Sequence, residues 1–153
     1  MKLGTLCYIN DGIKTLMLHR IKKENDMHKG KWNGLGGKIE DGESPEDCVK
    51  REVNEESGLI IENPQLKGII TFPKFDAIDD WIVFVYIANQ FSGNLIDSDE
   101  GELKWIKNKK IMDLNLWEGD KVYMKWLYNH PFFSAKFIYK KGKLQEHNVV
   151  FYE

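Results

Sequence analysis

Two apolar runs open the chain, at 3–9 (LGTLCYI) and 13–20 (IKTLMLHR), and the polar triplet Asn10-Asp11-Gly12 separates them. Strand-like runs on either side of Asp-Gly chemistry predict a hairpin. Residues 21–42 show little periodicity but hold glycines at 30, 34, 36, 37 and 42, so they read as a long loop with at most a short strand around 33–39. Long ordered loops tend to carry function. Ser44-Pro45 then offers an N-cap and a proline at the first helical position, Asp47 sits where a capping carboxylate belongs, and Gly58 supplies a stop. These signals predict a helix over 45–57. Of the strand-like stretches at 66–72 and 81–88, the second (WIVFVYIA) is so continuously apolar that it predicts a central strand covered on both faces. A strand near 103–106, a helix over 119–129 and a last pair of strands near 135–140 and 148–152 complete a mixed α/β layout.

A length of 153 residues suits one domain with one core. Hydrophobic residues at 42% and charged residues at 30% exclude collagenous, low-complexity and wholly disordered classes. No apolar run reaches the roughly 18 residues of a membrane span, so no membrane partner is expected. The opening MKLGTLCYIN lacks the basic, apolar and small-residue segments of a secretory signal, which makes the cytoplasm the expected compartment. Cys7 and Cys48 match no metal or redox spacing and are expected as free buried thiols. With 22 Lys plus Arg against 24 Asp plus Glu, the formal charge of -2 would not hold a long nucleic acid nonspecifically.

The local charge distribution is more informative. Residues 19–38 carry Arg20, Lys22, Lys23, Lys29, Lys31 and Lys38 against Glu24 and Asp26, whereas residues 40–56 are heavily acidic. Two solvated faces would have this composition, and so would a site for phosphate plus metal. Within the helix, Glu52, Glu55 and Glu56 fall on an arc of roughly 100° at about 100° per residue. Such crowding is unfavourable by a few tenths of a kcal/mol per like-charged neighbour, so it implies either a salt-bridged surface or a bound cation. All-oxygen ligation suits Mg²⁺ or Mn²⁺. Arg51 lies one turn before Glu55 and is placed to orient it.

Residues 36–59 read GGKIEDGESPEDCVKREVNEESGL. This segment resembles the Nudix box without a mismatch: Gly37, five residues, Glu43, seven residues, Arg51-Glu52, apolar Val53, one residue, Glu55-Glu56, one residue, Gly58 and apolar Leu59. The resemblance implies a single Nudix hydrolase domain over 1–153, with the box at 37–59, folded as an α/β/α sandwich with a mixed β-sheet. It implies hydrolysis of a nucleoside diphosphate linked to another group. By the same resemblance Glu52, Glu55 and Glu56 are metal ligands, the Gly36 carbonyl is a backbone ligand, and Glu43 fixes Arg51 or a metal-bound water. Mg²⁺, or Mn²⁺, would neutralise polyphosphate oxygens and activate water. Glu52 is the first candidate for the general base; Glu100 is the second and a further ligand.

Outside the box, GKWNGLGG (30–37), SDEGELKW (98–105), WEGD (117–120) and PFFSAKF (131–137) resemble the oxidised-purine branch, the MutT-type 8-oxo-dGTP diphosphatases. The expected substrate is then 8-oxo-dGTP, cleaved to 8-oxo-dGMP and pyrophosphate. The Asn33 amide offers a donor and an acceptor to a purine edge, Trp117 a stacking surface, Asp120 a hydrogen-bonding carboxyl and Lys23 a phosphate contact. Some enzymes of the branch have two successive aspartates where this chain has Gly119-Asp120, so guanine-type substrates are expected first. The box is equally compatible with a dinucleoside polyphosphate, a nucleotide sugar, an RNA 5′ end or a silent nucleotide-binding module, although intact Glu52, Glu55 and Glu56 argue against silence. A monomer or a small homo-oligomer is expected.

Overall fold

The computed structural model describes residues 1–153. A mixed sheet runs in the order β10-β9-β5-β6-β1-β2-β3, with β8 also pairing β2. Its strands are β1 (Lys2–Asn10), β2 (Lys14–His19), β3 (Trp32–Asn33), β5 (Gln65–Phe72), β6 (Trp81–Ala88), β8 (Glu102–Lys107), β9 (Phe132–Lys140) and β10 (Lys143–Tyr152). β6 lies mid-sheet, antiparallel to β5 and parallel to β1. Strict alternation sends neighbouring residues to opposite faces. Cys7, Leu16, Leu18 and Tyr86 face α1 (Pro45–Ser57) with Val49 and Val53, while Tyr8, Met17 and Val85 share a second core with Phe133 and Phe137 of β9 and with Tyr123 and Leu127. Each fully buried side chain of this size is worth about 1.5–3 kcal/mol. Two covered faces explain why β1, β2 and β6 read as continuous apolar runs.

The first hairpin closes only at its tip, where Ile9 faces Leu16 and Asn10 faces Thr15. Beyond that point β2 parts from β1 and takes β3 as its partner, while β8 pairs with β2 along its whole length, and the glycine-rich loop wedges against β1. Cys7 N–H donates to the Leu35 carbonyl at 2.6 Å and Thr5 N–H to the Gly37 carbonyl at 2.8 Å. At Gly36 an added Cβ would sit 1.9 Å from the Thr5 carbonyl oxygen, so only glycine permits this approach. The expected strand over 33–39 is therefore corrected to Trp32–Asn33 followed by isolated bridges at Leu35 and Lys38, because backbone proximity replaces a regular ladder.

α1 begins in a reciprocal capping box, Asp47 N–H to Ser44 Oγ at 3.0 Å and Ser44 N–H to Asp47 Oδ2 at 3.1 Å, and ends at Gly58 with φ of 82°. Such an N-cap is worth about 1 kcal/mol. The expected helix over 119–129 is shorter: α2 covers Glu118–Tyr123, and the following turns tighten to bonds such as Trp126 N–H to the Tyr123 carbonyl at 2.9 Å. Met124 and Leu127 both reach the core from these turns. Three short elements went unanticipated: β4 (Ile60–Glu62) and β7 (Gln90–Ser92), which pair with each other, and a 3-10 turn over Asn108–Asp113. The last strands are longer than expected because Lys141 and Gly142, at φ of 52° and 77°, make a tight reversal that keeps them paired. No helix is long and apolar enough to cross a membrane.

Candidate active site

A cleft of about 430 Å³ opens between the glycine wedge, α1 and α2. One end is charged, with Glu52, Glu56, Glu100 and Arg20; the other carries Asn33, Phe72, Phe75, Trp117, Asp120 and Tyr139.

Arg51 organises the charged end from outside. Its Nε and Nη2 donate to Glu43 Oε2 and Oε1 at 2.7 and 2.9 Å, and its Nη1 donates to Glu52 Oε1 at 2.7 Å and Glu55 Oε2 at 3.2 Å. The paired guanidinium holds the Glu43 carboxyl down at about 2, and Glu43 in turn raises the already high pKa of Arg51. Glu43 Oε1 also accepts the Glu40 backbone N–H at 2.9 Å, which ties the loop before the helix to this pair. Glu52 lies so close to Gly37 that a Cβ there would come within 2.5 Å of the Glu52 carboxyl carbon. Glu56 is buried and accepts the Gly36 N–H at 3.2 Å. Burial, then the negative charge of Glu52, pushes its carboxyl up to about 8.

The helix therefore does not bring its three glutamates to one point. Glu55 is exposed, outside the cleft and turned to Arg51, and no three acidic, His or Cys side chains close on a preformed chelate. What surrounds the charged end is nevertheless an oxygen-only donor set: Glu52, Glu56, Glu100 and the Gly36 carbonyl, which receives no hydrogen bond from the protein. A buried carboxylate with a second carboxylate beside it fits a hard divalent cation.

Glu100 is held by Lys23 Nζ at 2.9 Å and Arg20 Nη2 at 3.7 Å. Lys23 thus occupies the rim through Glu100 and does not line the cleft. Arg20, which does, was legible only as one of several charges in a basic segment. At the other end the Asn33 Oδ1 is buried without any partner. Burial pushes the Asp120 carboxyl up to about 7, against opposing influences from Tyr123 and Lys31. Gly119 has a local reason: its N–H donates to the Tyr139 hydroxyl at 2.6 Å, and a Cβ would meet that oxygen at the same distance. A second aspartate therefore does not fit before Asp120. Trp117 lines the cleft with Phe75 and Tyr139 packed edgewise on it at 5.1 and 5.6 Å. Phe75, Tyr139 and His28 were missed in the sequence, where nothing in their spacing links them to residue 117.

Residues 2–127 match the NUDIX domain family model. The chain is 38% identical over 120 residues to the uncharacterized Nudix hydrolase YvcI of Bacillus subtilis, covering 76% of this chain and 72% of that protein. It is 30% identical over 128 residues to the oxidized purine nucleoside triphosphate hydrolase of Danio rerio, covering 84% and 79%. The crystal structure of a MutT protein from Bacillus halodurans superposes with a TM-score of 0.87 at 31% identity, covering 97% of each chain. The Gly36–Leu59 segment, the wedge that presents it and the carboxylates gathered beside it thus sit in a molecule whose sequence and architecture agree, and the chain belongs to the Nudix hydrolase family.

Proposed function

We propose that this Nudix hydrolase cleaves oxidised purine nucleoside triphosphates, 8-oxo-dGTP first, to the monophosphate and pyrophosphate, and so removes damaged precursors from the nucleotide pool. The observation that carries this reading is the continuity of one cleft from the carboxylates to an aromatic end where Asn33 Oδ1 is buried and unpaired. An orphaned buried acceptor costs about 1–3 kcal/mol unless a ligand donates to it. The likeness to the zebrafish protein supports the same substrate class.

In this reading Glu52, Glu56, Glu100 and the Gly36 carbonyl would hold Mg²⁺ or Mn²⁺, and Glu55 would join them on leaving Arg51. A divalent cation held there supplies charge neutralisation on the polyphosphate and a water of lowered pKa. Arg51 fixes Glu52 Oε1 and leaves Oε2 without a protein partner, which supports Glu52 as the group that would take a proton from the attacking water. Glu43 keeps Arg51 in that orientation. Arg20 and Lys23 hold Glu100 and add positive charge beside the phosphates. Trp117 offers a stacking surface, while Asn33 and Asp120 hydrogen-bond the purine edge. Water attacks directly, since no Ser or Cys nucleophile stands in the charged end of the cleft.

Hydrolysis in ¹⁸O water with Mg²⁺, followed by mass spectrometry, tests the reaction. The expected products are 8-oxo-dGMP and pyrophosphate, one of them carrying a single ¹⁸O. Release of orthophosphate, or label-free products with a phosphorylated protein, would contradict the proposal.

A further inference from the structure

Trp117 Nε1 lies 2.9 Å from His28 Nδ1, with the two rings at 85°. An indole N–H can only donate, so Nδ1 accepts, and the neutral imidazole carries its proton on Nε2. Burial, then the charge of Arg20, holds His28 down at about 4, which keeps it neutral at physiological pH. Nε2 makes no hydrogen bond within the protein, and His28 lines the same cleft as Trp117, Asn33 and Asp120. The imidazole is itself fixed. Its backbone N–H donates to Asp26 Oδ1 at 2.9 Å, Arg20 Nε holds Asp26 at 2.7 Å, and Phe75 stacks on the ring at 6.1 Å and 19°.

We infer that His28 is a positioning and specificity-determining residue of the base-binding end: it fixes the Trp117 ring through the indole N–H and presents Nε2–H to an acceptor on the purine. The inference rests on the reading above that Trp117 and Asn33 meet the base. Its chemical content is a complementary pair within the cleft, a donor on His28 and the unpaired acceptor on Asn33. A base that carries both an oxo acceptor and a ring or exocyclic N–H can satisfy both. A base that lacks the acceptor leaves Nε2–H unpaired, and discrimination arises from that loss.

Imidazole ¹⁵N shifts of the wild-type protein test the tautomer directly: Nε2–H is expected for His28, and Nδ1–H overturns the inference. Two variants test the role. His28→Asn keeps an oxygen near the Nδ1 position and removes Nε2, whereas His28→Phe keeps the ring and removes both nitrogens. In His28→Phe the Trp117 indole ¹⁵N–¹H signal should shift and exchange faster with solvent. Its KM for 8-oxo-dGTP should rise about fivefold or more, as for a lost hydrogen bond, with kcat within about twofold of wild type. His28→Asn should keep the indole signal protected and still raise KM. Unchanged KM in a folded His28→Phe overturns the inference. Trp117→Ala separates the two levels of argument. If Trp117→Ala raises KM and His28→Phe does not, the role of His28 fails alone; if neither does, the base-binding reading fails as well.

Discussion

Arg51 grips Glu43 through two parallel hydrogen bonds of 2.7 and 2.9 Å while a third nitrogen of the same guanidinium holds Glu52 Oε1 at 2.7 Å. One planar fork thereby transmits the position of the loop at Glu40–Glu43 to a carboxylate in the cleft. Lysine carries the charge but cannot make that fork. Arg51→Lys should therefore lower kcat about tenfold or more with little change in the far-UV circular dichroism spectrum. Turnover close to wild type would show that Glu52 needs no such support.

Gly36 and Gly37 are adjacent, yet their alanine variants should fail differently. At Gly37 the obstacle is the end of the Glu52 side chain, which can swing away, so Gly37→Ala should melt near the wild-type temperature and lose most activity. At Gly36 the obstacle is the Thr5 backbone, so Gly36→Ala should lower the melting temperature markedly. Thermal melts alongside an activity assay check both, and the reverse pattern would mean that Gly37 does not make room for Glu52 and Gly36 does not make room for Thr5.

Glu56 is buried in the cleft, whereas Glu55 is exposed and bonded to Arg51. Glu56→Gln should cost about a hundredfold in activity with the fold intact, and Glu55→Gln a smaller factor of about ten. Titration of Mn²⁺ binding by electron paramagnetic resonance should show weaker binding for Glu56→Gln. Equal activity of both variants with wild type would remove the metal site from the helix.

Asp120 gives a stability prediction with a definite sign. Its folded pKa of about 7 lies above the ordinary 3.8, so the native state retains a proton that the unfolded chain releases. The contribution is complete below about pH 4 and is lost as pH rises through about 7. The melting temperature of the wild type relative to Asp120→Asn should therefore fall between pH 5 and pH 8. A constant difference across that range would place the carboxyl in a more polar setting than the cleft provides.

Much of this architecture was legible in the sequence. The capping residues Ser44 and Asp47 and the stop at Gly58 gave the bounds of α1, because capping is local chemistry that tertiary packing rarely overrides. The continuous apolar run of β6 likewise foretold its place in mid-sheet. The helix after Trp117 was overextended because Met124, Leu127 and their neighbours keep helical spacing while the backbone tightens to fit the core. Within the site, Glu52, Glu56, Glu100, Asn33, Trp117 and Asp120 are legible in the sequence motifs and share one cleft. The outward turn of Glu55 and the pairing of Lys23 with Glu100 could not be read, since each depends on which of several partners a long side chain meets in three dimensions. His28 was invisible for a related reason: its partner Trp117 is 89 residues away.

The central claim, that the cleft reads an oxidised purine while the carboxylates cut its triphosphate, is tested most directly by kcat/KM for 8-oxo-dGTP, dGTP, dCTP and ADP-ribose with Mg²⁺, in the wild type and in Asp120→Ala. The wild type should prefer 8-oxo-dGTP, and Asp120→Ala should lose about tenfold or more on that substrate while dCTP falls much less. A wild-type enzyme that prefers ADP-ribose, or an Asp120→Ala variant that loses the same factor on 8-oxo-dGTP and dCTP, would contradict the account.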